Sequence, residues 1–158
     1  MNQFNISIRF VMSAAIRRCL LMVGMSLLPF SSMRVALLRL IGVRIGQGCY
    51  IGFNVFVDTN YPALISIENN VTISHGCSII THTMSPVLSK LATLYKQARP
   101  VSIDSGSWIG MNTLLLPGAK VGTDCFIGAG SVVCGKMPSK HLCAGNPCKP
   151  IKSLPLES

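Results

Sequence analysis

Aliphatic residues recur at every sixth position along most of the chain, in three phased blocks. Ile45, Ile51 and Val57 make the first, and Ile67, Ile73 and Ile79 the second. Ile103, Ile109, Leu115, Val121, Ile127 and Val133 make the third without a miss. Two residues before each lies a second series of small or β-branched residues: Val43, Cys49, Val55, Ile65, Val71, Cys77, Val101, Ser107, Thr113, Ala119, Cys125 and Ser131. Glycine directly follows several aliphatic positions, at Gly46, Gly52, Gly110, Gly122 and Gly128, where it permits unusual dihedrals or a close backbone approach. A step of six is not a helical period, and two inward positions in six is not plain strand alternation. It is the period of a short strand plus a turn, and stacked rungs of that kind form a parallel β-helix that buries the aliphatic residues of each coil under the next. An ordinary β-sandwich gives no reason for twelve aliphatic positions to stay in phase.

The breaks in the pattern are informative. The step from Val57 to Ile67 is ten, so "TNYP" (59–62) reads as a short insertion at a corner. From Ile79 to Ile103 the step is a multiple of six, yet "HTMSPVLSKLATLYKQAR" between them loses the pattern. It reads as an extended loop over about 82–100, and loops of that length are usually functional. Residues 1–40 predict a helical segment, with Pro29 between two helices, ahead of a β-helix over 41–152. Two readings of that segment stand. It caps the open end of the β-helix, or it lies on a membrane surface, since Arg9, Arg17, Arg18, Arg34 and Arg39 flank apolar faces. The apolar run "CLLMVGMSLLPF" (19–30) is too short to span a bilayer, and no small-x-small site follows closely enough to mark a signal peptide.

Composition narrows the partners. The 158 residues suit one domain. With 49% hydrophobic and only 12% charged residues, the chain is expected to bury surface between subunits or against a membrane. A net charge of +9 favours acidic partners. Aromatics are few and no nucleic-acid-binding motif occurs, so a phosphorylated cofactor or an anionic membrane surface is expected rather than nucleic acid. Seven cysteines form no CxxC pair and no zinc spacing, which points to a reduced cytoplasmic setting and no metal.

Three stretches carry a family resemblance: "WIGMNTLLLPGAKVG" (108–122), "IGAGSVV" (127–133) and "AGNPCKPIK" (144–152). With them, residues 35 to 152 resemble the hexapeptide-repeat acyltransferases, most closely the branch that acetylates sugars such as maltose, galactosides and capsule or lipopolysaccharide saccharides. The resemblance implies a left-handed coil, a homotrimer, acetyl-CoA as co-substrate, and transfer of its acetyl group to a hydroxyl of a sugar or polysaccharide. It also implies that the extended loop reaches toward a neighbouring subunit.

A hydroxyl is a poor nucleophile at neutral pH, so acetyl transfer to it needs a base, and histidine suits the task. The chain has three histidines. His82 stands where the regular coil ends and the loop departs, in "THTM"; family members carry their catalytic histidine here as "TH" or "THxH", and Met84 takes the place of the second. His82 is therefore the expected base, with His75 as the alternative and His141 an exposed loop residue. By resemblance, Asn54 and Asp58 in "FNVFVD" line the acceptor pocket; as plain sequence they are equally good turn formers. The resemblance also places Trp108, Gly110, Met111, Ala129 and Gly130 along the pantetheine arm, and Lys149 and Lys152, with Lys136 as an addition, at the nucleotide phosphates. No cysteine has a matching His and acid in sequence, so direct transfer in a ternary complex is expected. Two other classes remain: a non-catalytic assembly or membrane-associated scaffold on the same fold, and transfer to an amino sugar. A metal-dependent β-helix enzyme would need three histidine ligands, and only His75 and His82 fall on the coils.

Overall fold

The structure is a computed structural model and describes residues 16, 18, 19, 21–83 and 98–156. Of the sequence expectations, Arg9, Arg17, Met84 and most of the extended loop lie outside those residues.

The chain winds into a left-handed parallel β-helix. Each coil contributes one short strand to each of three sheets. The first coil is β1 (Arg44–Ile45), β2 (Tyr50–Ile51) and β3 (Phe56–Val57). The second is β4 (Ile65–Ile67), β5 (Thr72–Ile73) and β6 (Ser78–Ile79). The third is β7 (Val101–Ile103), β8 (Trp108–Ile109) and β9 (Leu114–Leu115), and the fourth β10 (Lys120–Val121), β11 (Phe126–Ile127) and β12 (Val132–Val133). With β13 (Lys136–Met137), β14 (His141–Ala144) and β15 (Lys149–Ser153) after them, the sheet orders are β1-β4-β7-β10-β13, β15-β14-β11-β8-β5-β2 and β12-β9-β6-β3. Every pairing is parallel except that of β14 with β15.

Both six-step series point inward, which is why the pattern reads so clearly. The aliphatic positions from Ile51 to Val133 are all buried, and Ile45 at the open first coil is partly so. The smaller series is buried beside them, except Cys49 of the first coil, which is partly so. Its polar members cap corner carbonyls: Ser107 Oγ donates to Gly122 O, Thr113 Oγ1 to Gly110 O and Ser131 Oγ to Gly128 O, at 2.6 to 2.7 Å.

Two features of the coil went unread in the sequence. A fifth, shorter coil follows, with β13 (Lys136–Met137) and β14 (His141–Ala144). Met137 and Cys143 are its inward residues, but the step from Val133 to Met137 is four, so the six-step count stops short of it. The glycines after the aliphatic positions serve close approach, not unusual dihedrals: a Cβ at Gly110 would lie 2.6 Å from Ala129 N. Left-handed backbone falls instead three residues after the aliphatic position, at Asn54, Asn70, Asn112 and Asp124 with φ between 52° and 57°. Asn and Asp tolerate that region better than other side-chain-bearing residues, so they mark the corner where each rung turns.

The N-terminal segment closes the first coil. Residues 21–27 are helical and α1 (Ser31–Leu40) follows. α1 packs on β1 and β2, with Val35 and Leu38 buried. Arg34 corrects its reading as a surface cation. It is 1% exposed, its Nε donates to Ile51 O at 2.8 Å, its Nη1 donates to Leu28 O, and its guanidinium lies 4.1 Å from the Phe53 ring centroid. Arg39 likewise donates Nε to Ile45 O at 3.1 Å. These contacts are those of a cap. Replacing Arg34 with Met leaves two carbonyls without their donor, and each buried orphan costs about 1–3 kcal/mol. Urea unfolding of Arg34→Met is expected to show a loss of about 2–4 kcal/mol. An unchanged midpoint would mean that Arg34 does not hold the cap. No described helix is long and apolar enough to cross a membrane.

Candidate active site

The extended loop leaves after β6, and the residues at its departure build the site. Val57 ends β3, so the next residue, Asp58, turns at the corner below β6; its backbone N–H donates to Ile79 O at 3.0 Å. One coil up, Thr81 and His82 stand at the same corner. Asp58 is 3% exposed. Its Oδ2 accepts from Thr81 N at 3.1 Å, from Thr81 Oγ1 at 2.5 Å and from His82 Nδ1 at 2.5 Å. Its Oδ1 accepts from Asn60 N at 3.0 Å. Burial pushes the carboxyl up, but the hydrogen bonds from Thr81, His82 and Asn60 outweigh it and hold Asp58 below its ordinary value. It is a carboxylate at neutral pH.

The other ring nitrogen is assigned by its neighbours. Arg18 Nη2 donates to Asn60 Oδ1 at 3.0 Å, which turns the Asn60 amide nitrogen toward His82 Nε2 at 3.2 Å. An amide nitrogen can only donate, so Nε2 accepts, and the proton sits on Nδ1 facing Asp58. Tyr61 packs edge-on against the ring with centroids 5.4 Å apart. The imidazole is thus fixed in the tautomer of a base, and His82 and Asn60 both line a cavity of about 900 Å³. Asn54 and Asp58 both line that cavity, and Ser26 Oγ donates to Asn54 Oδ1 at 2.7 Å. The insertion "TNYP" supplies Asn60 and Tyr61 to the site, and the N-terminal segment supplies Arg18.

The expected cofactor residues gather elsewhere. Trp108, Phe126, Leu142 and Lys152 stand in register across the sheet of β8, β11, β14 and β15 (Lys149–Ser153). Trp108 is 51% exposed, stacks on Phe126 with centroids 4.5 Å apart, and donates Nε1–H to Ser74 Oγ at 3.0 Å. At the corner after β8 and β11, Gly130 N donates to Met111 O at 2.8 Å, and Gly110 lies against Ala129. Met111, Ala129 and Gly130 are exposed, and no described residue lies within 4 Å of where a Gly130 Cβ would stand. Lys149 and Lys152 are exposed and make no ion pair among the described residues. The row therefore fits a thioester cofactor: an aromatic plate, a corner of small residues and two available cations. Lys136 does not join it, because β13 belongs to a different sheet.

His75 lies on that second corner, not with His82. Its Nδ1 accepts from Phe53 N at 3.0 Å and its ring stacks on Phe53 at 5.5 Å, a packing arrangement. His141 Nδ1 bonds to Ser139 O at 2.7 Å. Among the described residues, no group of three His, Cys, Asp or Glu side chains is placed to hold a metal.

Family comparisons agree with the coil. "Bacterial transferase hexapeptide (six repeats)" matches residues 100–135, and "Hexapeptide repeat of succinyl-transferase" matches residues 39–59. The chain is 31% identical over 114 residues to a galactoside O-acetyltransferase of Escherichia coli K12, covering 71% of this chain and 54% of that protein. It is 34% identical over 110 residues to the galactoside O-acetyltransferase of Lactococcus lactis, covering 67% and 50%. The chain belongs to the hexapeptide-repeat transferases. Its coil superposes on the crystal structure of a maltose O-acetyltransferase from Clostridium difficile 630 with a TM-score of 0.63 at 26% identity, covering 91% of this chain and 87% of that one. The chain spans about half the length of the two galactoside O-acetyltransferases.

Set against this hexapeptide-repeat frame, the sequence missed Arg18, Asn60 and Thr81. The signal for Asn60 was the insertion itself, whose length was read but whose side chains were not. Thr81 was hidden in the same "TH" that revealed His82.

Proposed function

We propose that this chain transfers an acetyl group from acetyl-CoA to a sugar hydroxyl, directly and in a ternary complex, with His82 as general base. The observation that carries the reading is the Asp58–His82–Asn60 arrangement at the cavity. Asp58 holds the imidazole by Nδ1, and Nε2 presents its lone pair where an acceptor hydroxyl can replace the Asn60 amide. The acceptor's proton passes to Nε2 as its oxygen attacks the thioester carbonyl, and the imidazolium then returns the proton to the departing thiolate. Asp58 stabilises that imidazolium and is here a positioning residue, with Asn54 beside it on the acceptor side.

Direct transfer accords with the thiols. Burial pushes Cys125 up to about 12 and Cys148 up to about 11, each also raised by Cys143, and it raises Cys77 and Cys143 as well. A buried protonated thiol is a poor nucleophile.

The cofactor row and His82 follow different sheets of one coil. Meeting of thioester and base therefore requires the base corner of one subunit to face the cofactor row of another, which a trimer around a three-fold axis provides. Two measurements test this reading. Thiol release from acetyl-CoA, followed over a panel of glycosides, is expected to be acceptor-dependent; none with any acceptor sinks the proposed activity. Light scattering is expected to give a trimer or a multiple of three; a stable monomer at micromolar concentration overturns the shared site.

A further inference from the structure

The N-terminal segment has two faces, and the cap uses only one. Leu21 and Met25 of the helical residues 21–27, and Arg34, Val35 and Leu38 of α1, are buried toward the coil. A Cβ at Gly24 would run into the Leu37 side chain, so the two helical stretches lie side by side in contact. A helix makes a turn in about 3.6 residues. That puts Val23 and Leu27 on the side of their stretch away from Leu21 and Met25, and Met33 and Leu40 on the side of α1 away from Val35 and Leu38. Phe30 stands at the turn between the stretches, and Ile16 lies seven residues before Val23. These six large apolar side chains are 43% to 80% exposed. Water is a poor neighbour for so many together, and a grouping of that kind marks an interaction surface.

The charge around this face has one sign. Residues 1–57 hold six arginines and no Asp or Glu; the first acid is Asp58. Arg18, Arg39 and Arg44 are exposed. Arg18 donates to Thr59 Oγ1 and Asn60 Oδ1, and Arg39 to the Ile45 and Gly46 carbonyls. All four acceptors are neutral, so neither charge is cancelled, and among the described residues no arginine joins an ion pair. A second copy on this face would set arginine against arginine, with no acid in the segment to answer it. A bilayer with anionic headgroups answers both features. Its acyl boundary takes aliphatic and aromatic side chains, and its headgroups take guanidiniums, whose long stems reach past the apolar surface. We propose that the outer face of the N-terminal segment docks the protein on an anionic membrane surface, with Leu27, Phe30, Met33 and Leu40 entering the boundary between headgroups and acyl chains. The segment then lies in the interface and does not cross it. Its inner face closes the coil and its outer face holds the lipid, an inference that goes beyond acetyl transfer and does not depend on it.

The test floats the full chain with vesicles of phosphatidylcholine alone and of equimolar phosphatidylcholine and phosphatidylglycerol. One arginine near an anionic surface is worth roughly fivefold in partitioning, so three give on the order of a hundredfold. Partitioning onto the anionic vesicles is therefore expected to be at least tenfold stronger than onto the neutral ones. It should weaken in about 1 M salt, where screening acts within about 3 Å. Leu27→Gln combined with Leu40→Gln changes no charge and touches no core residue, the two being 72% and 80% exposed. The paired variant is expected to lower partitioning at least tenfold, with an unchanged unfolding midpoint. Equal partitioning onto both kinds of vesicle, or partitioning untouched by the paired variant, overturns the docking face. Failure to float with either kind overturns it as well, and a concentration-dependent doubling of mass in light scattering that the same variant abolishes would then give the face to a second copy. The flotation holds no acetyl-CoA and no acceptor. Its failure leaves the acetyl-transfer reading standing, and absence of thiol release leaves the docking face standing.

Discussion

His82→Ala is expected to lower kcat by roughly 10²–10⁴-fold, the usual worth of a general base, while acetyl-CoA binds as before. The separation of effects follows from the coil. His82 stands at the corner beyond β6, whereas Trp108, Met111, Gly130 and Lys152 line the sheet of β8, β11, β14 and β15 and its corner. No described contact joins the imidazole to that row. The fold should survive, because Asp58 keeps its bonds from Thr81 and Asn60 when the ring is gone, and His82 is not a core residue. His75→Ala should cost much less, since its ring is engaged with Phe53. Steady-state thiol release and calorimetric binding of coenzyme A measure both halves. Turnover of wild-type size in His82→Ala would remove histidine 82 as the base, and an acetylated protein trapped during turnover would replace direct transfer by an acyl-enzyme.

Most of the coil was legible because its inward positions are strictly periodic and little else can satisfy a six-residue step. The periodicity failed where geometry changed the step, at the shortened coil that carries Met137 and Cys143. For the glycines it left two uses open, unusual dihedrals or close approach, and the second is the one they serve. Gly110 and its counterparts touch the next rung, while the turning residues are the Asn and Asp two positions after the glycine. The site was half legible. His82 was singled out because it stands where the pattern stops, and Asp58 by its resemblance to the acceptor side of the sugar acetyltransferases, since as plain sequence it is an equally good turn former. What could not be read was their pairing. Asp58 and His82 are 24 residues apart, and the stacking of β3 on β6, with Val57 opposite Ile79, brings the two corners together in space. Arg34 was misread for a related reason: a helical arginine among apolar residues looks solvated until the open end of the coil, with its unpaired Ile51 carbonyl, is known to lie beneath it.

Asp58→Asn is the sharper test of the arrangement, because it keeps size and removes only charge and one acceptor. The carboxylate receives four donors on two oxygens. An amide has one oxygen. If it replaces Oδ2, its NH₂ faces the Asn60 N–H; if it replaces Oδ1, its NH₂ faces Thr81 and His82. In the second arrangement His82 must offer Nδ1 as acceptor, which moves the proton to Nε2 and disables the base. In the first, the ring keeps its tautomer but loses the negative charge that stabilises the imidazolium. Either way kcat is expected to fall roughly 10²–10⁴-fold. Stability should fall by about 1–3 kcal/mol at neutral pH, for the buried donor left unpaired. The pH dependence separates this from a general loss of packing. Asp58 is held below its ordinary value, so the folded protein binds its proton less readily than the unfolded chain. Its contribution is therefore complete above about pH 4 and is lost as pH falls through the lower folded value. The gap in unfolding midpoint between wild type and Asp58→Asn should stay constant from about pH 5 to 8 and narrow below pH 4. A gap that persists unchanged into acid would assign the loss to packing, and kcat within fivefold of wild type would show that His82 needs no anionic partner to act.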